Sequence, residues 1–246
     1  MACRWLVLFC CLCSVGVSAQ TPLRVVTELS PPHQTLVQGE VSGLSTELVK
    51  DVLAAAGLAG KFELYPWARS FRIARSQPNV LIYNMARTTE REAQFHWIGT
   101  VAAYQLGFVA LSHRDDIQIN TVTDAIHYTV AVQRDDISAD FLMKNGFKKG
   151  MQLVLAADIT ESWQLLFNGK VDLVIDDPVA LTGMAMQLGV ANQDVRFVYG
   201  ITELEQHTWL AASLQTPPEL IERLQQAHSQ IAKTERYRRI MASDYR

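Results

Sequence analysis

Strand-like and helix-like segments alternate along this chain, stop, and then alternate again, and this double run limits the fold more than any single motif. "LRVVTEL" (23–29) carries the branched apolar residues of a strand, which the prolines of "SPPHQ" break. "STELVKDVLAAAG" (45–57) predicts a helix with Leu48, Val49, Val52 and Leu53 on one face, capped by Ser45 or Thr46 and ended by Gly57. "KFELYPW" reads as a strand, "ARSFRIARS" as a short helix and "VLIYNM" (80–85) as a third strand. The pattern restarts with "YTVAVQ" as a strand, "ISADFLMKNG" as a helix closed by Gly146, and "MQLVLA" as a strand. "ITESWQLLFNG" (helix), "VDLVID" (strand), "PVALTGMAMQLG" (helix begun by Pro178) and "VRFVYG" (strand) follow. Such alternation predicts an α/β protein of two lobes, each a small, mainly parallel sheet flanked by helices.

Two apolar stretches, "YQLGFVALS" (104–112) and "HTWLAAS" (207–213), lie at the ends of the second run. If both cross between lobes, the segment from "TPPELIERL" onward returns to the first lobe as a helix. Lobe one is then residues 22–105 plus 205–246, and lobe two is the insertion 106–204. Two successive domains with a C-terminal helix packed elsewhere remain the alternative.

"MACRWLVLFCCLCSVGVSAQ" has one early arginine, an apolar core of about ten residues and small residues before Gln20, the pattern of an export leader (1–19) cleaved after Ala19. Its apolar run is shorter than the roughly 20 residues of a spanning helix. Cys3, Cys10, Cys11 and Cys13 all lie within it, so the mature chain is expected to enter an oxidising compartment, the periplasm, with no thiol to bridge. Its stability then comes from core burial.

The net charge of −3 and the lack of any lysine or arginine block argue against a nucleic-acid partner. The six histidines show no metal-ligand spacing, and HExxH, nucleophile-elbow and phosphate-loop motifs are missing. No catalytic residue, metal or cofactor is assigned.

Ligands of parallel α/β sheets bind beyond the carboxyl ends of the strands, so residues just after each predicted strand are the candidates. Arg91 in "TTER" follows "VLIYNM", with Thr88 or Thr89 as cap of a helix, and its guanidinium can hold a carboxylate by two charge-assisted hydrogen bonds. The motif by itself fits a surface arginine paired with Glu90 or Glu92 better. Asp177 follows "VDLVID" and can accept hydrogen bonds from a ligand ammonium or simply cap the next helix, with Asp176 turned away or sharing the role. Trp67 is an apolar wall or core. Of Arg69, Arg72 and Arg75, only Arg69 is near enough to a strand end to matter. Arg134 and Asp136 lie on the loop after "YTVAVQ".

"SPPHQ…GEVSGLSTELV", "PWAR", "ARTTEREAQFHWIG" and "GKVDLVIDDPVAL", in that order, resemble the periplasmic solute-binding proteins of family 3, the amino-acid-binding receptors of ABC transporters. The resemblance spans the chain after the leader. It implies a two-lobed periplasmic binding protein-like fold (type II) and a monomer that closes on a small zwitterionic or carboxylate ligand. It also implies that Arg91 holds the ligand carboxylate, Asp177 its ammonium, Trp67 a wall, and Asn84 and Ala86 the strand-end contacts. Ala86 stands where a small hydroxyl is common, and "RDD" (134–136) where a small-residue loop is usual, which permits a more polar or more cationic ligand. "PWARSF…NMARTTER" resembles a divergent branch whose members often lack an evident transporter. Some members of the family are cyclohexadienyl-type dehydratases, which here would work through Asp177 or Asp136, and a stand-alone sensor module is a third expectation.

Overall fold

The computed structural model describes residues 23–189 and 194–242. The expected leader, its four cysteines and Ala19 lie outside the described residues, as do 190–193 and 243–246. Among the described residues no helix is long and apolar enough to cross a membrane.

The first run becomes β1 (Leu23–Thr27), β2 (Thr35–Val37), β3 (Glu40–Ser42), α1 (Leu44–Ala55), β4 (Gly60–Leu64), α2 (Trp67–Ser76) and β5 (Val80–Ala86). A 17-residue strand, β6 (Phe95–Leu111), leads into the second run. This comprises β7 (Val130–Gln133), α3 (Ile137–Lys144), β8 (Leu153–Ala156), α4 (Ile159–Phe167), β9 (Leu173–Asp176) and α5 (Ala180–Leu188). A 19-residue strand, β10 (Val195–Ser213), returns, and α6 (Pro218–Ile231) and α7 (Glu235–Met241) end the described chain.

The main sheet has the order β4-β1-β5-β10-β6-β9-β7-β8. β4, β1 and β5 run parallel, as do β8, β7 and β9, and β6 and β10 join the two sets as an antiparallel pair. "YQLGFVALS", "VRFVYG" and "HTWLAAS" are therefore parts of two long strands rather than separate segments, because the pairing of β6 with β10 continues from one set to the other. The pairing slips in the middle, between Gly200–Gly107 and Glu205–Gln105.

Buried side chains form four clusters. Two draw on residues 23–101 and 210–240, under α1 with α6 and α7 on one face and α2 on the other. The other two draw on residues 108–204 around α3 and α4. The apolar face predicted for α1 is fully used: Leu48, Val49 and Val52 are shut from solvent and Leu53 nearly so. No side chain caps α1. Ser45 and Thr46 are buried instead, Ser45 Oγ against His33 Nδ1 at 2.9 Å and Thr46 Oγ1 against Tyr83 Oη at 2.7 Å.

The cap of α1 is the loop before it. Leu44 N–H donates to the Pro32 carbonyl (3.0 Å), and Ser45 and Thr46 N–H to the His33 carbonyl (3.1 and 3.3 Å). Gly43 makes this approach possible at φ 113°, a region open to glycine. The C-terminal helix expected from "TPPELIERL" onward is two helices, divided where Thr234 caps α7 by accepting from Tyr237 N–H.

Candidate functional site

The carboxyl ends of the parallel strands converge on one cavity, as the fold class requires. Glu28 lies one residue past β1, Asn84 and Ala86 close β5, and Trp67 opens α2 after β4. From the second half, Gln133 closes β7, Asp136 precedes α3, Ile159 opens α4 and Asp176 closes β9. Tyr104 and Thr208, from the long strands, also line it. The cavity holds about 70 Å³, in the measure in which one water needs ~10–15 Å³, so it admits a compact polar group.

Arg91 is 6% exposed and faces this cavity. It is held by a turn and not by the helix that Thr88 or Thr89 would cap: its N–H donates to the Thr88 carbonyl, and a short 3-10 segment, Glu92–Gln94, follows. Its guanidinium packs against the Trp67 and Phe71 rings, 5.3 and 5.0 Å from their centroids, and Nη2 donates to the Asp135 carbonyl at 3.0 Å. Burial lowers its pKa, opposed by the carboxylates of Asp136, Asp140, Glu28 and Glu90. Arg87, four residues earlier, points outward, forked onto Glu92 and stacked over Trp97 and Trp209.

Trp67 Nε1 donates to the same Asp135 carbonyl at 2.9 Å, so one oxygen of the second half takes donors from two residues of the first. Asp135 and Asn84 both have left-handed backbones, at φ 59° and 56°, where Asn and Asp are the side chains best tolerated after glycine. The Asn84 amide is fixed by Tyr104 Oη (3.0 Å) and Thr208 Oγ1 (3.2 Å).

Five of the eight sequence-chosen residues meet here: Arg91, Trp67, Asn84, Ala86 and Asp136. Asp136 also caps α3 by accepting from Ser138 N–H at 3.1 Å. Arg69 and Arg134 line a different, open groove of about 650 Å³ outside the Arg91 turn, where Arg69 stacks on Tyr65 at 4.0 Å. Asp177 is occupied locally: its carboxylate accepts from Gln105 N–H (2.6 Å) and Val179 N–H (2.8 Å), and it is absent from the cavity lining. Asp176 takes that place, held by Trp163 Nε1 at 2.7 Å and Asp177 N–H at 2.8 Å.

Glu28 is the acidic residue of the site that was not singled out from sequence alone, and Asp176 was named only as turned away from the role of Asp177 or sharing it. Burial, then the charges of Asp136 and Asp176, push Glu28 up to about 8, against the Gln133 hydrogen bond and Arg91. Burial raises Asp176 to about 7, against the bonds from Trp163 and Asp177 N–H. Between its ordinary value of 4.5 and about 8, Glu28 holds more proton folded than unfolded, so its contribution to stability is full at low pH and lost as pH rises through that window. E28Q is expected to leave Tm unchanged at pH 4 and to raise it by on the order of 5 °C at pH 8, read by thermal unfolding across pH. An equal shift at both pH values contradicts a protonated Glu28.

The model of the bacterial extracellular solute-binding proteins, family 3, matches residues 23–243. No curated protein matches the chain. Among solved structures, a histidine kinase sensor domain with similarity to periplasmic binding proteins shares 21% identity at TM-score 0.78, covering 91% of this chain and 95% of that one. An ancestral arginine-binding protein bound to glutamine shares 23% at TM-score 0.77, covering 90% and 96%. The GluR0 ligand-binding core from Nostoc punctiforme, in complex with L-glutamate, shares 20% at TM-score 0.72, covering 91% and 99%. At such identities these likenesses establish the fold, the two-lobed one of periplasmic binding proteins. The match over residues 23–243, together with that fold, establishes that this chain belongs to the bacterial extracellular solute-binding proteins of family 3.

Proposed function

We propose that the chain is an exported receptor that captures a small amino-acid-like solute between two lobes, 22–105 plus 205–246 and 106–204, and passes it to an ABC-type permease or reports it to a sensor. The observation that carries this reading is the buried Arg91 guanidinium, set at a strand-end cavity to which both halves contribute. A solute carboxylate there gains two charge-assisted hydrogen bonds from a guanidinium largely shut from solvent. The two crossing strands, with their slipped pairing near 104–106 and 203–207, serve as the hinge. Contacts made from both sides give the solute its preference for the closed form. Arg69 and Arg134 face the outer groove and not this cavity.

The test is a thermal-shift screen of the purified protein against amino acids, polyamines and small carboxylates. A stabilising compound that also shows saturable calorimetric binding supports capture, and a uniformly flat screen contradicts it. Glu28 and Asp176, whose burial favours the protonated form, support a second reading, a dehydratase with one of them as general acid. Product formed from prephenate or arogenate selects the enzyme. Binding without turnover selects the receptor.

A further inference from the structure

Arg69, Arg72 and Arg75 recur at every third position of α2, and the cavity uses none of them. All three line the open groove of about 650 Å³ outside the Arg91 turn. A step of three residues advances about 4.5 Å along a helix, so their charges are strung along roughly 9 Å of it. The second half adds Arg134, from the loop after β7, with Asp135, Asp140 and Ala157.

These four arginines are exposed, and among the described residues none is paired with a carboxylate, whereas Arg87 and Lys144 are. Two are held against rings: Arg69 lies 4.0 Å from the Tyr65 centroid and Arg75 5.6 Å from that of Phe71. A guanidinium stacked on a ring can still donate forked hydrogen bonds from its edge. The charge of the groove does not cancel. Glu90 is taken by Lys144 at 3.0 Å, and Arg91 answers to carboxylates that include Asp136 and Glu28 of the cavity. Asp135 and Asp140 remain against Arg69, Arg72, Arg75 and Arg134, an excess of two positive charges on a chain whose net charge is −3. The large exposed apolar side chains Leu36, Val37, Met151 and Leu214 lie away from the groove, so it offers no such anchor for a lipid surface.

We infer that this groove is a second binding site, for a free solute that carries two separated anionic groups, such as a dicarboxylate or a pyrophosphate. The α2 arginines hold one group and Arg134 the other, through forked charge-assisted bonds, so the solute bridges the two halves from the outer side. Arg91 borders both the groove and the cavity, and its bond to the Asp135 carbonyl joins the halves between them. By linkage, a dianion that favours this apposition favours any ligand of the cavity that needs it, and the reverse. The inference goes beyond the capture reading and stands without it.

The test is calorimetric titration of the purified protein with glutarate and pyrophosphate, beside butyrate, which is glutarate without its second carboxylate. At low ionic strength at least one dianion should bind a single saturable site about ten-fold or more tighter than butyrate does. Physiological salt should weaken that binding, because the groove is open to screening. Arg72→Ala and Arg134→Ala, one from each half and both at exposed positions, should each lower the affinity about ten-fold and leave Tm without probe unchanged. Butyrate binding as tightly as glutarate overturns the inference, as does a loss confined to one of the two variants. Dianion binding that neither variant weakens places the anion in the Arg91 cavity and overturns it too. If neither dianion binds, the inference falls, and sedimentation with cardiolipin-containing phosphatidylcholine vesicles would then identify a membrane contact instead. None of these results decides the thermal-shift screen, so the capture reading stands or fails separately.

Discussion

Replacing Arg91 with alanine is expected to weaken binding of any carboxylate-bearing solute by about 100-fold or more in a calorimetric titration. A charge-assisted hydrogen bond contributes roughly 1.5–3 kcal/mol, and the planar fork supplies two, while each 1.4 kcal/mol is a factor of about ten. The loss is larger than at a surface arginine because Arg91 is enclosed by Trp67, Phe71 and the Asp135 carbonyl. Arg91→Lys keeps the charge without the fork and should recover only part of the affinity. Wild-type affinity in the alanine variant would remove Arg91 from the site.

Gly43→Ala is expected to lower Tm by on the order of 10 °C and to impair solute binding in whatever protein still folds. At φ 113° an added Cβ would stand 2.5 Å from the His33 carbonyl oxygen and 2.8 Å from that of Pro32, both backbone atoms that also cap α1. A side chain in so sparsely populated a conformation costs about 1–3 kcal/mol, and the lost cap roughly another 1, at ~2–4 °C per kcal/mol for a chain of this size. Binding suffers because the displaced loop carries Ser30 and Gln34 to the cavity, with Gln34 held by Thr27 Oγ1 at 3.0 Å. Thermal unfolding of the variant, followed by titration of the surviving folded fraction, measures both effects. An unchanged Tm would mean that the loop does not clamp α1 as described.

Much of the fold was legible because its strands are short, branched and separated by helices with clear apolar faces, as α1 illustrates. The long strands were not. The middle of β10, with Glu203, Glu205 and Gln206, is too polar to continue the apolar pattern, and pairing of β6 with β10 carries the strand across. Of the cavity residues, Arg91 and Trp67 were singled out because they lie at or beyond the ends of predicted strands, and Asn84 because the resemblance placed it there. Glu28 was missed by one residue: "LRVVTEL" reads as strand through Leu29, but β1 ends at Thr27, which makes Glu28 the first residue beyond the sheet. A shift of one position also separates Asp176 from Asp177. Asp176 is the last residue of β9 and Asp177 the first beyond it, where the backbone N–H groups of Gln105 and Val179 hold its carboxylate locally. That choice depends on a tertiary contact 72 residues away in sequence, which no local pattern contains.

The account rests on a buried guanidinium and strand-end groups from both halves enclosing one solute. A crystal structure of the protein with the compound that stabilises it most tests this directly. The predicted result is electron density for that compound between β5 and β7, with an anionic group about 3 Å from Arg91 and contacts to Trp67 on one side and to Gln133 or Asp176 on the other. Density elsewhere on the molecule, or a bound compound that leaves Arg91 on the Asp135 carbonyl alone, would contradict it.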